Sequence, residues 1–237
     1  MTKTDVLAIL RETGILPAIR VASADDAHFA VDALVAGGIP VVEITMTVPG
    51  AVDLIAHLVK CIPKTIVGAG TVLNVETARN CVDAGARFLT SPGFFPEVLE
   101  FAARHELASL PGALTPTEVA NAWSAGGDLI KVFPCAPAGG HDYIRTLKRC
   151  FPQIPLIAAG GVTQQTAEDL ILAGATALGV GTALIPTEAI ANRQRNRIRE
   201  LSRRFIKAVK DARARLVPEE PIEGAAEIAP HGPAAKK

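Results

Sequence analysis

A chain of 237 residues with 49% apolar and 20% charged side chains holds enough apolar material for a sizeable core, which excludes global disorder. Lysine plus arginine and aspartate plus glutamate each number 24, so the formal net charge is zero and offers no general attraction for nucleic acid or an anionic membrane. No stretch approaches the ~20 apolar residues of a membrane span, and the start MTKTDVLAILRETG carries charges inside its apolar stretch, unlike a signal peptide.

Short apolar, β-rich runs then alternate with helical stretches along the chain. LPAIR (16–20) predicts a strand, followed by a helix over 25–38 that Gly37 and Gly38 stop. PVVEIT (40–45) predicts the second strand, ahead of a helix near 50–61, and TIVGAG (65–70) the third, ahead of a helix over 75–84. RFLTSP (87–92) leads into a helix opening near Pro96, and LASLP (107–111) into one opening near Pro116. DLIKVFP (128–134) precedes a helix around 140–150, PLIAAGG (155–161) one over 163–173, and TALGVG (176–181) the long C-terminal helix.

Eight strand–helix units whose strands are continuous apolar runs point to parallel strands buried on both faces. The expected fold is therefore α/β, a (β/α)8 TIM barrel forming one domain over 1–216. A doubly wound open sheet is the rival, but no G-x-G-x-x-G follows the first strand, and the glycine-rich turns come after the seventh and eighth strands, where barrels commonly bind phosphate.

From Arg193 to Arg215 ten basic residues face two acidic ones, above an apolar stripe of Ile198, Leu201, Phe205, Ala208 and Val209, which reads as a solvated outer helix. Beyond it, 217–237 is rich in Pro, Ala and Glu and reads as a flexible tail. Cys61, Cys81, Cys135 and Cys150 form no C-x-x-C pair and no cluster with the scattered histidines, so reduced thiols, a cytoplasmic location and no metal are expected.

Two charged residues stand inside apolar strands. Lys131 lies in DLIKVFP, where alternation sets Leu129, Lys131 and Phe133 on one face. A buried ammonium loses its hydration, which favours the neutral, nucleophilic amine; the competing reading is a lysine at the strand mouth reaching solvent. Glu43 lies in PVVEIT with Val41 and Thr45 on its face, as a proton-transfer group or as the structural ion partner of Lys131. A Lys–Glu pair in a barrel mouth suits Schiff-base chemistry with a proton-shuttling acid.

AGGIPVVEIT (36–45), VGAGTVLN (67–74), SPG (91–93), PGALTPTE (111–118), KVFP (131–134), AAGGV (158–162) and GVGTAL (179–184), in this order and spacing, resemble the 2-keto-3-deoxy-6-phosphogluconate/4-hydroxy-2-oxoglutarate aldolases from about residue 16 to 215. The resemblance implies a class I aldolase that needs no metal or cofactor, is a homotrimer, and takes a small 2-keto-3-deoxy (phospho) sugar acid, with no nucleic-acid or membrane partner. It implies that Lys131 forms the Schiff base with pyruvate and that Glu43 is the general acid/base. It places Thr71 on the pyruvate carboxylate, Pro92 and Phe133 as walls beside the imine, and Gly160, Gly161, Gly181 and Thr182 around the distal phosphate. Without the resemblance, those glycines read first as tight strand–helix turns.

One position departs from the pattern. Many relatives carry arginine two residues after the threonine of E-x-T, and here Thr47 stands there. Threonine cannot reproduce a guanidinium fork. Arg20 ends the first strand, near where relatives acting on the galactonate epimer carry an arginine, and is the expected replacement cation, against the reading of an exposed loop arginine. The expected reaction is cleavage of 2-dehydro-3-deoxy-6-phosphogluconate to pyruvate and glyceraldehyde 3-phosphate. The alternatives are cleavage of 4-hydroxy-2-oxoglutarate to pyruvate and glyoxylate, the 6-phosphogalactonate epimer, an epimerase or decarboxylase barrel working without a strand lysine, and a non-catalytic metabolite-binding barrel.

Overall fold

Every apolar run read as a strand is one, and all are parallel. The computed structural model describes residues 1–216; the tail expected over 217–237 lies outside the described residues. The strands are β1 (Ile15–Ile19), β2 (Val41–Thr45), β3 (Ile66–Gly70), β4 (Phe88–Thr90), β5 (Ala108–Leu110), β6 (Gly112–Ala113), β7 (Ile130–Val132), β8 (Leu156–Ala159) and β9 (Ala177–Val180). All their residues are buried except the half-buried Ala18. That is the burial expected of parallel strands covered by helices outside and packed side chains inside.

The strand order is β5-β4-β3-β2-β1-β9-β8-β7-β6. Its two ends, β5 and β6, are consecutive in the chain and separated by Pro111 alone. Proline has no N–H to give the ladder. Its carbonyl still accepts from Lys131 N at 2.9 Å, while Gly112 N donates to Gly93 O at 3.1 Å on the other side. The two pieces are thus one interrupted strand, and the nine segments make the eight staves of a (β/α)8 barrel. The fifth stave extends two residues past the expected end at 111, because the proline interrupts the ladder without turning the chain.

The helices are α1 (Lys3–Thr13), α2 (Ala24–Ala36), α3 (Ala51–Cys61), α4 (Val75–Asp83), α5 (Pro96–Arg104), α6 (Pro116–Ser124), α7 (Gly140–Cys150), α8 (Ala167–Leu172), α9 (Thr187–Ala191) and α10 (Arg195–Arg215). Local chemistry sets several starts. Ser23 accepts from Asp26 N at 3.1 Å and Asn74 from Thr77 N at 2.8 Å, while Thr115 and Glu118 form a reciprocal capping box at α6. The helix expected from 163 begins at Ala167, because Thr163 and Thr166 exchange hydrogen bonds in a turn of their own. A short helix, α9, also intervenes before the long one.

Two features of the chain ends were not read from sequence. The first is α1, whose Val6 and Leu10 pack against the strands from the N-terminal end of the barrel. Its N-terminus carries a Thr2–Asp5 capping box. The second is the true buried stripe of α10, which is Ile198, Ser202, Phe205, Val209 and Ala212; Leu201 and Ala208 are only half-buried. Ser202 fits because its hydroxyl donates to Ile198 O at 2.8 Å and its Cβ lies against Gly37.

Arg213 ties the two ends together. Its guanidinium donates to Glu12 O at 2.7 Å, Arg11 O at 2.6 Å and Thr176 O at 2.9 Å, covering the last carbonyls of α1. Arg213→Met is expected to remove about 2 kcal/mol of stability and lower Tm by roughly 4–8 °C in a domain of this size. An unchanged melting temperature would show that water replaces these bonds without loss.

Candidate active site

Strand alternation turns Glu43, Lys131 and their neighbours into the barrel. Lys131 is 8% exposed and Glu43 1% exposed. Lys131 Nζ lies 3.4 Å from Glu43 Oε1 and 3.5 Å from Oε2, a loose buried pair on β7 and β2, which are not neighbours in the sheet. Each buried group needs the other as its polar partner, since burial denies both the hydration they would have at the surface. The lysine head also stands 5.8 Å from the centroid of the Phe133 ring.

Room for the carboxylate comes from β3. A methyl group at Gly70 would stand 2.0 Å from Glu43 Oε1 and 2.5 Å from its Cδ, so only glycine lets Glu43 lie across the strand. The chain then leaves β3 through Thr71 at φ 60°, a left-handed conformation that is strained for a β-branched residue.

The pair opens into a cavity of about 410 Å³ at the C-terminal ends of the strands. Of the residues singled out from sequence, Arg20, Glu43, Lys131, Phe133, Gly160, Gly161, Gly181 and Thr182 line it. Thr47, Thr71 and Pro92 do not, although they follow β2, β3 and β4 on the same end of the barrel. Pro92 instead packs its backbone against Gly112, where a Cβ would approach its carbonyl carbon to 2.3 Å.

For Thr47 the cause is a hydrogen-bond chain. Thr45 Oγ1 donates to Ile19 O at 2.9 Å, so its 2.7 Å contact with Thr47 Oγ1 makes Thr47 the donor. The Thr47 proton is therefore committed and is not offered to a substrate anion. Arg20 lies next to Ile19, is exposed, and has no ion-pair or hydrogen-bond partner among the described residues.

The far end of the cavity is built from backbone. Gly160 and Gly161 both adopt φ 83°, and added methyl groups would stand 2.9 Å from Phe133 and 2.4 Å from Ala136. Conformation and space both demand glycine here. Among the described residues, the amides of Gly161, Val162, Thr182 and Ala183 donate to no protein acceptor. Converging unpaired N–H groups of this kind form an anion-binding concavity.

Cys135 lies beneath these turns, and burial pushes its thiol up to about 11, so it does not compete as a nucleophile. Among the described residues no three His, Cys, Asp or Glu side chains converge as metal ligands. Ala18, Ala159, Gly179, Thr163 and Ile185 also line the cavity and were not singled out from sequence. Ala18 pairs with Glu43 in register, and alternation along β1 and β8 is the signal that would have found it and Ala159.

This arrangement has close counterparts. The family described as KDPG and KHG aldolase matches residues 6–201. The KHG/KDPG aldolase of Escherichia coli K12 is 32% identical over 88% of this chain and 98% of its own. The KDPG aldolase of Legionella pneumophila, solved with pyruvate captured as a covalent carbinolamine, is 32% identical with a TM-score of 0.77, covering 83% of this chain and 96% of that one. The native KDPGal structure is 29% identical with a TM-score of 0.78, covering 84% and 96%. The barrel, the matched residues and these relatives together make the chain a member of the KDPG and KHG aldolase family, an aldehyde-lyase.

Proposed function

We propose that this aldolase cleaves 2-dehydro-3-deoxy-6-phosphogluconate to pyruvate and glyceraldehyde 3-phosphate through a Schiff base on Lys131. The observation that carries the reading is the buried amine 3.4 Å from a buried carboxylate, facing a cavity with unpaired amides at its far end. Lys131 Nζ attacks the C2 carbonyl, and the amine and ketone combine with one proton and release one water, leaving an iminium ion. Glu43 takes the C4 hydroxyl proton, directly or through a water molecule. The C3–C4 bond breaks with its electron pair drawn into the iminium, giving an enamine and the aldehyde. Protonation at C3 and hydrolysis then release pyruvate and the free lysine.

Arg20 supplies the cation for the substrate carboxylate, and Thr71, the neutral donor the family pattern implies, stands outside the cavity lining. Phe133 shields the imine, and Pro92 acts only indirectly, its backbone packed on Gly112, the register partner of Lys131. The phosphate rests on the backbone of Gly160, Gly161 and Gly181 with Thr182. Cleavage of 4-hydroxy-2-oxoglutarate uses the same lysine and carboxylate and leaves the phosphate end unused. The 6-phosphogalactonate epimer is the second reading, favoured by Arg20 standing in for the cation that Thr47 lacks. We place the enzyme in the cytoplasm as a homotrimer, as the family resemblance implies and as its free thiols fit; among the described residues no helix is long and apolar enough to cross a membrane.

Borohydride added with pyruvate is expected to inactivate the enzyme and attach one reduced pyruvyl group to Lys131. Chelation is expected to leave activity unchanged, because the iminium is itself the electron sink. Label on another lysine, or loss of activity with a chelator, overturns this mechanism.

Arg20→Ala is expected to lower kcat/KM by about 10- to 150-fold, the size of one charge-assisted hydrogen bond. Most of the loss should fall in KM if the cation holds substrate and transition state equally, and Thr47→Arg in the same chain should recover part of it. Rates assayed across the gluconate, galactonate and glyoxylate-yielding substrates identify the preferred acid. Wild-type kinetics in Arg20→Ala would leave the carboxylate on neutral donors alone.

A further inference from the structure

Among the described residues, one buried side-chain oxygen or nitrogen has no hydrogen-bond partner: Thr90 Oγ1. Thr90 is fully buried, at 0% exposure. An unsatisfied buried hydroxyl is a cost that most folds avoid, and valine would fill the same space without it.

The register shows where this hydroxyl points. The Phe88 ring lies 2.3 Å from the position a Gly68 Cβ would take, so Phe88 faces the barrel interior beneath Gly68, and Thr90, two residues on, faces the same way. Gly68 and Gly70 share that face, and the space above Gly70 is filled by the Glu43 carboxylate. Ala69 pairs with Leu89, which puts Thr90 on the strand beside Gly70. Its other neighbour in register is Leu110, which offers no polar side-chain atom. The interior hydroxyl of Thr45 is already committed to Ile19 O. Among the described residues the charged groups lining the cavity are Glu43, Lys131 and Arg20, and of these it is the Glu43 carboxylate, paired with Lys131, that lies over Gly70 beside Thr90.

That pair changes during the reaction. Resting Lys131 offers up to three N–H donors, and Glu43 takes from them. Once Nζ is bonded to the substrate C2, one N–H remains on the carbinolamine or protonated imine. The buried carboxylate thus loses donors at the stage where it must accept and return a proton.

We infer that the Thr90 hydroxyl is a positioning group for Glu43, donating to its carboxylate, directly or through one water molecule, while Lys131 is covalently engaged. The inference rests on the Schiff-base reading above. It explains why a hydroxyl without a partner in the resting enzyme is kept at this position.

The test compares Thr90→Val, Thr90→Ala and Thr90→Ser with the wild type. In Thr90→Val and Thr90→Ala, kcat is expected to fall about tenfold or more with KM changed less than about twofold. The acid limb of the kcat–pH profile should move up by about one pH unit, because the carboxylate loses a donor that favours its ionised form. Thr90→Ser should restore both. The Tm of Thr90→Val should equal or exceed that of the wild type, since no resting hydrogen bond is lost. Borohydride trapping with pyruvate, run in parallel, should still label Lys131 in every variant. Failure of trapping in the wild type would overturn the Schiff-base reading itself. With trapping intact, wild-type kcat and pH profile in Thr90→Val overturn the positioning role. Loss of folding in both apolar variants, or a lowered Tm with an unmoved profile, assigns the hydroxyl to stability and overturns it equally.

Discussion

The constraint on which the site depends is that two opposite charges must share one nearly dry space in the middle of a parallel barrel. Burying either alone would be prohibitive, and together they are still no more stable than apolar side chains of the same size. Lys131 and Glu43 therefore oblige the surroundings to accommodate them. Gly70 gives up its side chain so that the carboxylate can cross β3. The chain leaves that strand through Thr71 in a left-handed conformation. Their separation of 3.4 Å is wide for a salt bridge, and a pair held at that distance can be parted by a substrate carbonyl more readily than a tight one.

Barrel closure and site geometry meet at the same residues. Pro111 interrupts the fifth stave, yet its carbonyl holds Lys131 N, so the backbone of that lysine is fixed by the residue at which the sheet order begins and ends. Further along the same edge, Phe133 N donates to Ala113 O at 3.0 Å, which sets the wall of the cavity by the same stave, and on the other side β8 pairs with β7, Ile157 opposite Lys131. The lysine is placed by ladder bonds on both sides rather than by a loop, and a rigid element positions a reacting atom more closely than a mobile one.

What sequence could reveal follows from which signals are local. The strands were legible because each is a continuous apolar run, and Lys131 and Glu43 because each breaks such a run with a charge. The barrel's eightfold count was legible for the same reason, but Pro111 made the fifth run look shorter than it is. The α1 helix was not read as one because its apolar run of five residues is short and flanked by charges, and only packing against the barrel makes Val6 and Leu10 core. Arg213 looked like one more charge on a basic helix, although it holds carbonyls about 200 residues away in sequence. Thr90 gave no sequence signal, since a threonine ending an apolar strand is ordinary until its neighbours prove unable to bond it.

The same distinction explains why reaction type is easier to read than substrate. The chemistry at C2 needs an amine and a carboxylate inside a barrel, and charged residues in apolar strands are conspicuous. The ends of the substrate are held differently. Among the described residues the far end offers unpaired backbone amides, which any sequence carries and only the glycine conformation exposes. On the reading proposed above the near end is held by Arg20 rather than Thr47, whose proton is committed to the Thr47–Thr45–Ile19 hydrogen-bond chain linking β1 and β2. Two epimeric acids differ in the direction of one hydroxyl group, which no charge in the strands records. Discrimination between them must come from the few neutral donors within reach of that carbon.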